Sequence, residues 1–455
     1  MMEFEKRGVP TVSFTAETFV RDARRSAESF GFGGLPLAVV PLPFTNQPPD
    51  AVCVEVDECI DDVIAGLTKD VLPTKAHQEI VTVSDEWLTI KGDSELEALE
   101  EMNRLFLEYG WGDGFPLRAP DERSIARILK GTTRSPDNIV AVLEPGFGKA
   151  TVEKIAVNAL MAGCRPEHLP VVIAAVECLA EPKMYLRNKA MSTGPHAPLI
   201  WVNGPIAKRA GINSGVCALG PGAMSYANSV IGRAVRLCMM NIGLTYAGIS
   251  DMDTIGSPTK YSMCVAENQQ ASPWAPYHVD HGYDAGVSTV SVHFVYGICE
   301  LHDFTNYQPS RLVDVFATAA NNAAQLSTGL WLIGRRADPR YGTEEKEHHT
   351  MFICPEHANN FHKAGWGKEE IRKAMYAKAR MSFEMIMLAK ERKAMEAAHP
   401  ELQWLWDSPE TMLPVVEDPD CYEIVVVGGA AGRGAFFWGA GEPGTKEVTD
   451  IGGES

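Results

Sequence analysis

Apolar positions change their spacing several times along the chain, and each change marks an element. The runs Val9-Pro10-Thr11-Val12-Ser13-Phe14 and Leu37-Ala38-Val39-Val40 read as short buried strands. Between them, Phe19, Val20, Ala23 and Ala27 recur at helical spacing over 17–30, with Gly31 and Gly34 ending the helix. Pro41 and Pro43 stop the second strand, and 52–67 forms a further helix with an acidic outer face. Strands alternating with helices predict parallel pairing. Residues 1–8, closing on Gly8, read as the last turns of a helix, so the strand leading into it is expected upstream of Met1. In open α/β sheets the chemistry sits at the carboxyl ends of strands, which gives that upstream strand its interest.

The pattern divides the chain into a partial parallel α/β module over 1–72, a linker over 73–94, and a large mixed α/β (α+β) domain over 95–455. A short strand or hairpin is expected around 80–90. Asp93-Ser94 with Glu97 is a capping pattern that opens a helix to about 109. Further helices are predicted near 121–130, 151–162, 166–180, 225–241, 310–325 and 368–398. Strands are predicted near 138–143, 199–203, 288–298, 328–334, 350–354 and 422–428. The large domain exceeds the usual size of one core, so a subdivision near 330–340 is expected.

Composition narrows the partners more than the chemistry. With 45% hydrophobic and 22% charged residues, the chain is of ordinary globular type. A net charge of −18 argues against nucleic acid and against anionic membranes. No apolar run approaches the ~18 residues of a membrane span, and the charged start lacks the apolar core of a signal peptide. The ten cysteines are scattered with no CxxC pair, which argues against a structural zinc site. Their apolar settings suggest free thiols in a reducing cytoplasm.

Four blocks could carry chemistry. The densest runs from Ser192-Thr193-Gly194-Pro195-His196 through Asn203-Gly204-Pro205 and Asn213-Ser214-Gly215 to Leu219-Gly220-Pro221-Gly222. A helix carrying Asn228 and Arg233 follows. Glycines let backbone N–H groups approach a ligand, and Asn, Ser and Arg orient hydrogen bonds, so Asn203, Asn213, Ser214, Gly215, Asn228 and Arg233 are candidates for a small polar or anionic substrate. The same composition also suits plain tight turns. In the second block, Glu267-Asn268 follows a short strand and precedes the Ser272-Pro273-Trp274-Ala275-Pro276 loop. Glu267 is a candidate general base there, with Asn268 and Trp274 as pocket walls and His196 as a second proton-transfer group.

The third block is the histidines. A divalent metal would draw on His196, His278 and His349 with Glu267, although no HExxH occurs. His349 is the preferred member of the His348-His349 pair, because it leads a strand. The fourth is 423–434, a β-branched strand running into Gly428-Gly429, either a backbone nest for an anion or a plain turn. Its continuation, Ala435-Phe436-Phe437-Trp438, reads as the second strand of a hairpin. Cys217 and Cys264 are the candidate nucleophilic thiols, set against a core role for each.

The stretch Phe4-Glu5-Lys6-Arg7-Gly8-Val9-Pro10-Thr11-Val12, with Phe19-Val20, Leu35-Pro36-Leu37 and Pro41-Leu42-Pro43, resembles the UGSC family over about residues 3–70. Those (seleno)proteins are similar in pattern to the selenoprotein subunits of glycine, sarcosine and proline reductases. The resemblance implies thiol or selenol redox chemistry on a small molecule, carried by a Cys- or selenocysteine-Gly-Ser-Cys motif placed before the first helix. That motif is expected upstream of Met1. A selenocysteine codon read as a stop, a separately encoded partner chain, or a degenerate module would each account for its position. Residues 95–455 look like the larger domain that accompanies such a module, on features that include Trp111-Gly112-Asp113-Gly114 and Cys354-Pro355-Glu356-His357-Ala358. The resulting expectation is a thiol/selenol-type oxidoreductase or its substrate-binding subunit, acting as a homo-oligomer or with a partner chain. A metal-assisted lyase or hydrolase and a non-catalytic subunit of a complex are the alternatives.

Overall fold

A computed structural model of the chain describes residues 2–5, 7–41, 49–69, 71, 87–305, 307–322, 346–386 and 400–452. The N-terminal module consists of α1 (Met2–Glu5), β1 (Ser13–Ala16), α2 (Val20–Ser29), β2 (Leu37–Val40) and α3 (Pro49–Thr68). β1 and β2 pair in parallel, with Ser13 opposite Leu37. The first strand therefore starts later than the 9–14 reading. Ala38, Val40 and Cys59 form a small core of their own.

The large domain opens with α4 (Glu95–Glu108). The Ser94 hydroxyl accepts from the Glu97 N–H, and the Glu97 carboxylate accepts from the Asp93 N–H, as the capping pattern predicts. Then come α5 (Glu122–Ile128), β3 (Ile139–Leu143), β4 (Gly148–Thr151), α6 (Val152–Ala162), α7 (Leu169–Leu179), α8 (Leu186–Ala190), β5 (Ala197–Asn203), α9 (Pro205–Arg209), α10 (Tyr226–Asn241) and β6 (Cys264–Ala266). They are followed by α11 (Tyr277–Asp280), β7 (Thr289–His302), α12 (Pro309–Ala320), β8 (His349–Ile353), α13 (Pro355–Lys363) and α14 (Lys368–Lys378). The order ends with β9 (Arg380–Ser382), β10 (Met412–Pro414), β11 (Tyr422–Val426), β12 (Arg433–Gly439) and β13 (Gly444–Glu447). The fold is mixed α/β, as expected.

One seven-stranded sheet organises this domain, in the order β11-β8-β12-β7-β5-β6, with β13 added on β7. It curls into a half-barrel. Its edge strands approach each other, with the Asn268 N–H donating to Val426 O at 2.7 Å. Segment 212–218 bridges the seam: Ala266 N–H donates to Asn213 O, and Gly428 N–H donates to Ser214 O. The concave face holds a core that includes Leu199, Trp201, Val265, Phe352, Val425 and Phe437. The convex face carries two helical layers. α6, α7 and α10 cover Ile200, Val202 and Val292. α12, α13 and α14 cover Met351, Ile424 and Phe436. Fully burying one such Val, Leu, Ile or Phe side chain is worth about 1.5–3 kcal/mol, so both layers are strongly held.

β7 serves both layers through a bulge. Trp438 pairs with Gly297 but Gly439 pairs with Val295, leaving Tyr296 as the extra residue. A side-chain period of two means that one extra residue exchanges the faces of a strand. Before the bulge, Val290, Val292 and Phe294 face the first helical layer; beyond it, Cys299 and Leu301 face the second.

Several expectations change. The predicted helix over 368–398 is interrupted after Lys378, where Ala379 takes ψ 87° and the chain enters β9, paired antiparallel with β10, before a short helix over Phe383–Ile386. Residues 387–399 of that prediction lie outside the described residues. The 423–438 hairpin does not form, because β8 lies between β11 and β12 and pairs with both. The strand expected at 328–334 and the subdivision near 330–340 lie outside the described residues, as does most of the hairpin expected at 80–90; the remainder, 87–90, is irregular.

Candidate functional site

Parallel pairing of β5 and β6 places Val202 opposite Ala266, so the next residues, Asn203 and Glu267, stand side by side. Alternation from Leu199, Trp201 and Val265 turns both side chains to the concave face. The two touch directly, with Asn203 Nδ2 donating to Glu267 Oε2. The Tyr277 N–H donates to the same oxygen at 2.7 Å. Glu267 is only 4% exposed and Asn203 fully buried. Their remaining oxygens, Glu267 Oε1 and Asn203 Oδ1, are buried and have no hydrogen-bond partner among the described residues. Buried polar atoms are nearly always paired, so these two neighbouring oxygens are open to a further donor, from a water or from a ligand.

A second buried carboxylate lies across the same cluster. Glu423 on β11 takes His348 Nδ1 at 2.7 Å on one oxygen, and His281 Nε2 stands 3.6 Å from the other. The His281 ring stacks on Tyr277 with centroids 4.0 Å apart, and its Nδ1 bonds Tyr277 O at 2.8 Å. The Tyr277 hydroxyl faces Glu423 without a hydrogen bond of normal geometry. Thr350, next to Glu423 in the β11–β8 ladder, bonds His293 Nδ1 at 2.8 Å. His293 is kept neutral by its complete burial, with its pKa pushed down to about 3.

The two carboxylates are driven in opposite directions. Burial raises Glu267 above the ordinary carboxylate range, against the pull of the Lys368 charge and the bonds from Tyr277 and Asn203. Burial also opposes ionisation of Glu423, but there the His348 hydrogen bond and charge, with the charges of His281 and Arg372, outweigh it. Glu423 is held well below the usual range. Two carboxyls whose surroundings push them apart are an acid/base division of labour. Lys368, 7% exposed, is tied to Asp280 at 2.7 Å and to Ala275 O at 2.9 Å, and so braces the loop that carries Tyr277.

The other sequence candidates separate into groups. Asn213, Ser214, Gly215, Asn228, Asn268, Gly428 and Gly429 do come together, at the seam of the half-barrel. The side chains of Asn213, Asn228 and Asn268 are spent there on one another and on nearby groups. Asn213 receives from Gly215 N–H and donates to Val216 O and Ser225 Oγ. Asn228 bonds the Asn213 N–H, Asn213 O and Ala218 O. Asn268 Nδ2 donates to Gly428 O. A Cβ at Gly429 would stand 2.4 Å from Cγ2 of the exposed Val216 side chain, so the two segments approach closely there.

Arg233 is engaged within the protein. Its guanidinium forks onto Asp113 at 2.6 and 2.8 Å and onto the Phe115 and Pro116 carbonyls, locking the aromatic loop after α4. Trp274 packs beside the second helical layer and donates to Trp366 O.

His196 does not join Glu267. It precedes β5, whereas Asn203 ends it, and its ring lies 4.5 Å from that of Tyr296, with burial pushing its pKa down to about 4. The three-histidine metal set does not assemble either. His349 faces the second layer between Tyr422 and Phe436, and His278 is fully buried beside Tyr277. Among the described residues, no three His, Cys, Asp or Glu side chains converge as metal ligands. Cys264 is a core thiol, its pKa pushed far up by burial, whereas Cys217 is exposed.

Sequence reasoning missed Glu423, Tyr277, His281 and His348. One signal was present: Glu423 is a lone acid heading the apolar run Ile424-Val425-Val426-Val427. Of the adjacent histidines, His348 rather than His349 reaches the site.

The N-terminal module adds one further observation, its parallel β1–β2 pair flanked by α2 and α3. Residues 2–69 match the UGSC family. That match covers the same segment as the resemblance over 3–70. No curated protein and no solved structure matches the chain. Among the described residues, no helix is long and apolar enough to cross a membrane.

Proposed function

We propose that the large domain binds a small polar molecule and moves a proton on it through Glu267, within a thiol- or selenol-type oxidoreductase. The observation that carries the proposal is the pair of orphaned, buried oxygens, Glu267 Oε1 and Asn203 Oδ1. Asn203 Oδ1 accepts an N–H or O–H of the substrate and orients it. Glu267, raised towards neutrality by burial, gives or takes the proton. Glu423 stays ionised between His348 and His281, and with stacked His281 it positions Tyr277, whose N–H holds the Glu267 carboxyl in place. The redox part of the reading rests on the UGSC match of residues 2–69.

The test is a thermal-shift and calorimetric screen of small amides, amino acids and hydroxy acids against the chain and its Glu267→Gln form. A ligand that stabilises the first and not the second is expected. Identical responses from the two would remove Glu267 from the site. Activity that persists undiminished after complete thiol alkylation would refute the redox assignment while leaving the binding site standing.

A further inference from the structure

Cys354 lies apart from the carboxylate cluster, at the end of β8. It is the N-cap of α13, with its sulfur accepting the His357 N–H at 3.5 Å. His357, three residues on, is 3% exposed. Its Nε2 bonds the Asp303 carbonyl at 2.9 Å. A carbonyl only accepts, so Nε2 carries the hydrogen and the neutral ring keeps its lone pair on Nδ1. Nδ1 is buried and has no hydrogen-bond partner among the described residues. The Cys354 thiol, whose sulfur holds the backbone N–H of the same histidine, neighbours this open lone pair.

Three features hold this arrangement. The Asp303 N–H donates to Gly432 O at 2.8 Å, and the Cys354 N–H donates to Arg433 O at 3.2 Å, so both ends of the pair are pinned to the start of β12. Gly432 has to be glycine, because a Cβ there would stand 2.1 Å from Asp303 O and 2.8 Å from His357 Nε2. The start of a nine-residue helix adds partial positive charge beside the sulfur. A nucleophile, a base three residues on in the same helical turn and a third group that orients the base are the parts of an activated thiol. The charges agree: burial opposes ionisation of both groups, but their mutual interaction outweighs it, lowering the thiol and raising the ring.

We propose that Cys354 and His357 form a thiolate–imidazolium pair that reacts with small disulfides. The Cys354 thiolate attacks one sulfur of the disulfide and a new S–S bond forms on Cys354. The old S–S bond breaks, and the departing thiolate takes the proton from the His357 imidazolium. Cys354 is 4% exposed, so only a small partner reaches it. This centre is independent of Glu267.

The experiment uses the full chain. Ultraviolet thiolate absorbance is titrated for the wild type and for Cys354→Ser, and dipyridyl disulfide is added at about pH 6, where an ordinary thiol is almost wholly protonated. The expected result is an acid-stable thiolate signal missing from Cys354→Ser, together with a mixed disulfide that peptide mapping places on Cys354. His357→Asn is expected to slow that reaction at least about tenfold. The first two readings come from wild-type protein and do not depend on how the histidine variant folds. Absence of either the thiolate signal or the mixed disulfide on Cys354 overturns the proposal.

Discussion

The seam of the half-barrel and the Glu267 cluster have similar chemical content, and they have opposite uses for it. At the seam, Asn213, Asn228 and Ser225 form a closed set of hydrogen bonds among themselves and nearby backbone. In the cluster, Asn203 and Glu267 bond each other once and leave one oxygen each with no partner. A loop rich in Asn, Ser and Gly is thus no sign of a ligand until its bonds are counted. The cluster, with fewer polar residues in the sequence, is a place where burial and incomplete pairing coincide on two neighbouring side chains.

That contrast can be broken by substitution. Glu267→Gln keeps the shape and removes the titrating group; turnover of whichever substrate the screen identifies should fall by about 10²–10⁴, with the melting temperature little changed. Retained turnover would make the cluster mere packing. Asn228→Ala should do the reverse. It strands the Asn213 N–H and two carbonyls, at a cost of about 3 kcal/mol in denaturant unfolding, while activity per folded molecule persists. Arg233→Ala should cost about 2 kcal/mol, because Asp113 loses its fork. Affinity for an anionic ligand should stay the same, and a selective loss there would restore Arg233 as a receptor.

The smallest effect at neutral pH is a pair of slopes. Glu423 has a folded pKa below its ordinary value, so its ionisation stabilises the fold above the ordinary carboxylate range. That stability is lost as pH falls through the folded value. Glu267 has a folded pKa above its ordinary value, so its contribution is fully present below the ordinary range and declines as pH rises through the folded value. Stability against pH should therefore change in opposite senses for Glu423→Gln and Glu267→Gln. Parallel changes would contradict the division between the two carboxyls.

Local grammar made much of this molecule readable. The capping residues of α4, the helical spacing of α2 and the strand–helix alternation of the first module need only near neighbours in sequence. Glu267 was readable too, since a carboxylate directly after a short apolar strand is out of place unless it has a task. Glu423, His281 and His348 were not readable as a group, because β8 meets β11 only through long-range pairing and His281 joins them from the turn after α11. No local pattern encodes that pairing. His196 and Arg233 misled for the same reason: their neighbours in space, Tyr296 and Asp113, are far away in sequence. The end of α14 at Lys378 was missed because pairing of β9 with a strand some thirty residues later overrides helix-forming composition.

Tyr296, the extra residue in β7, has a bearing on ancestry. It packs against both convex-face cores, at the point where one strand passes from serving the first helical layer to serving the second. A sheet strand shared in this way gives recombination no clean joint. A break on either side of it would strand one layer without its floor. Any separation of the two helical layers would therefore have to cut through the sheet rather than beside it.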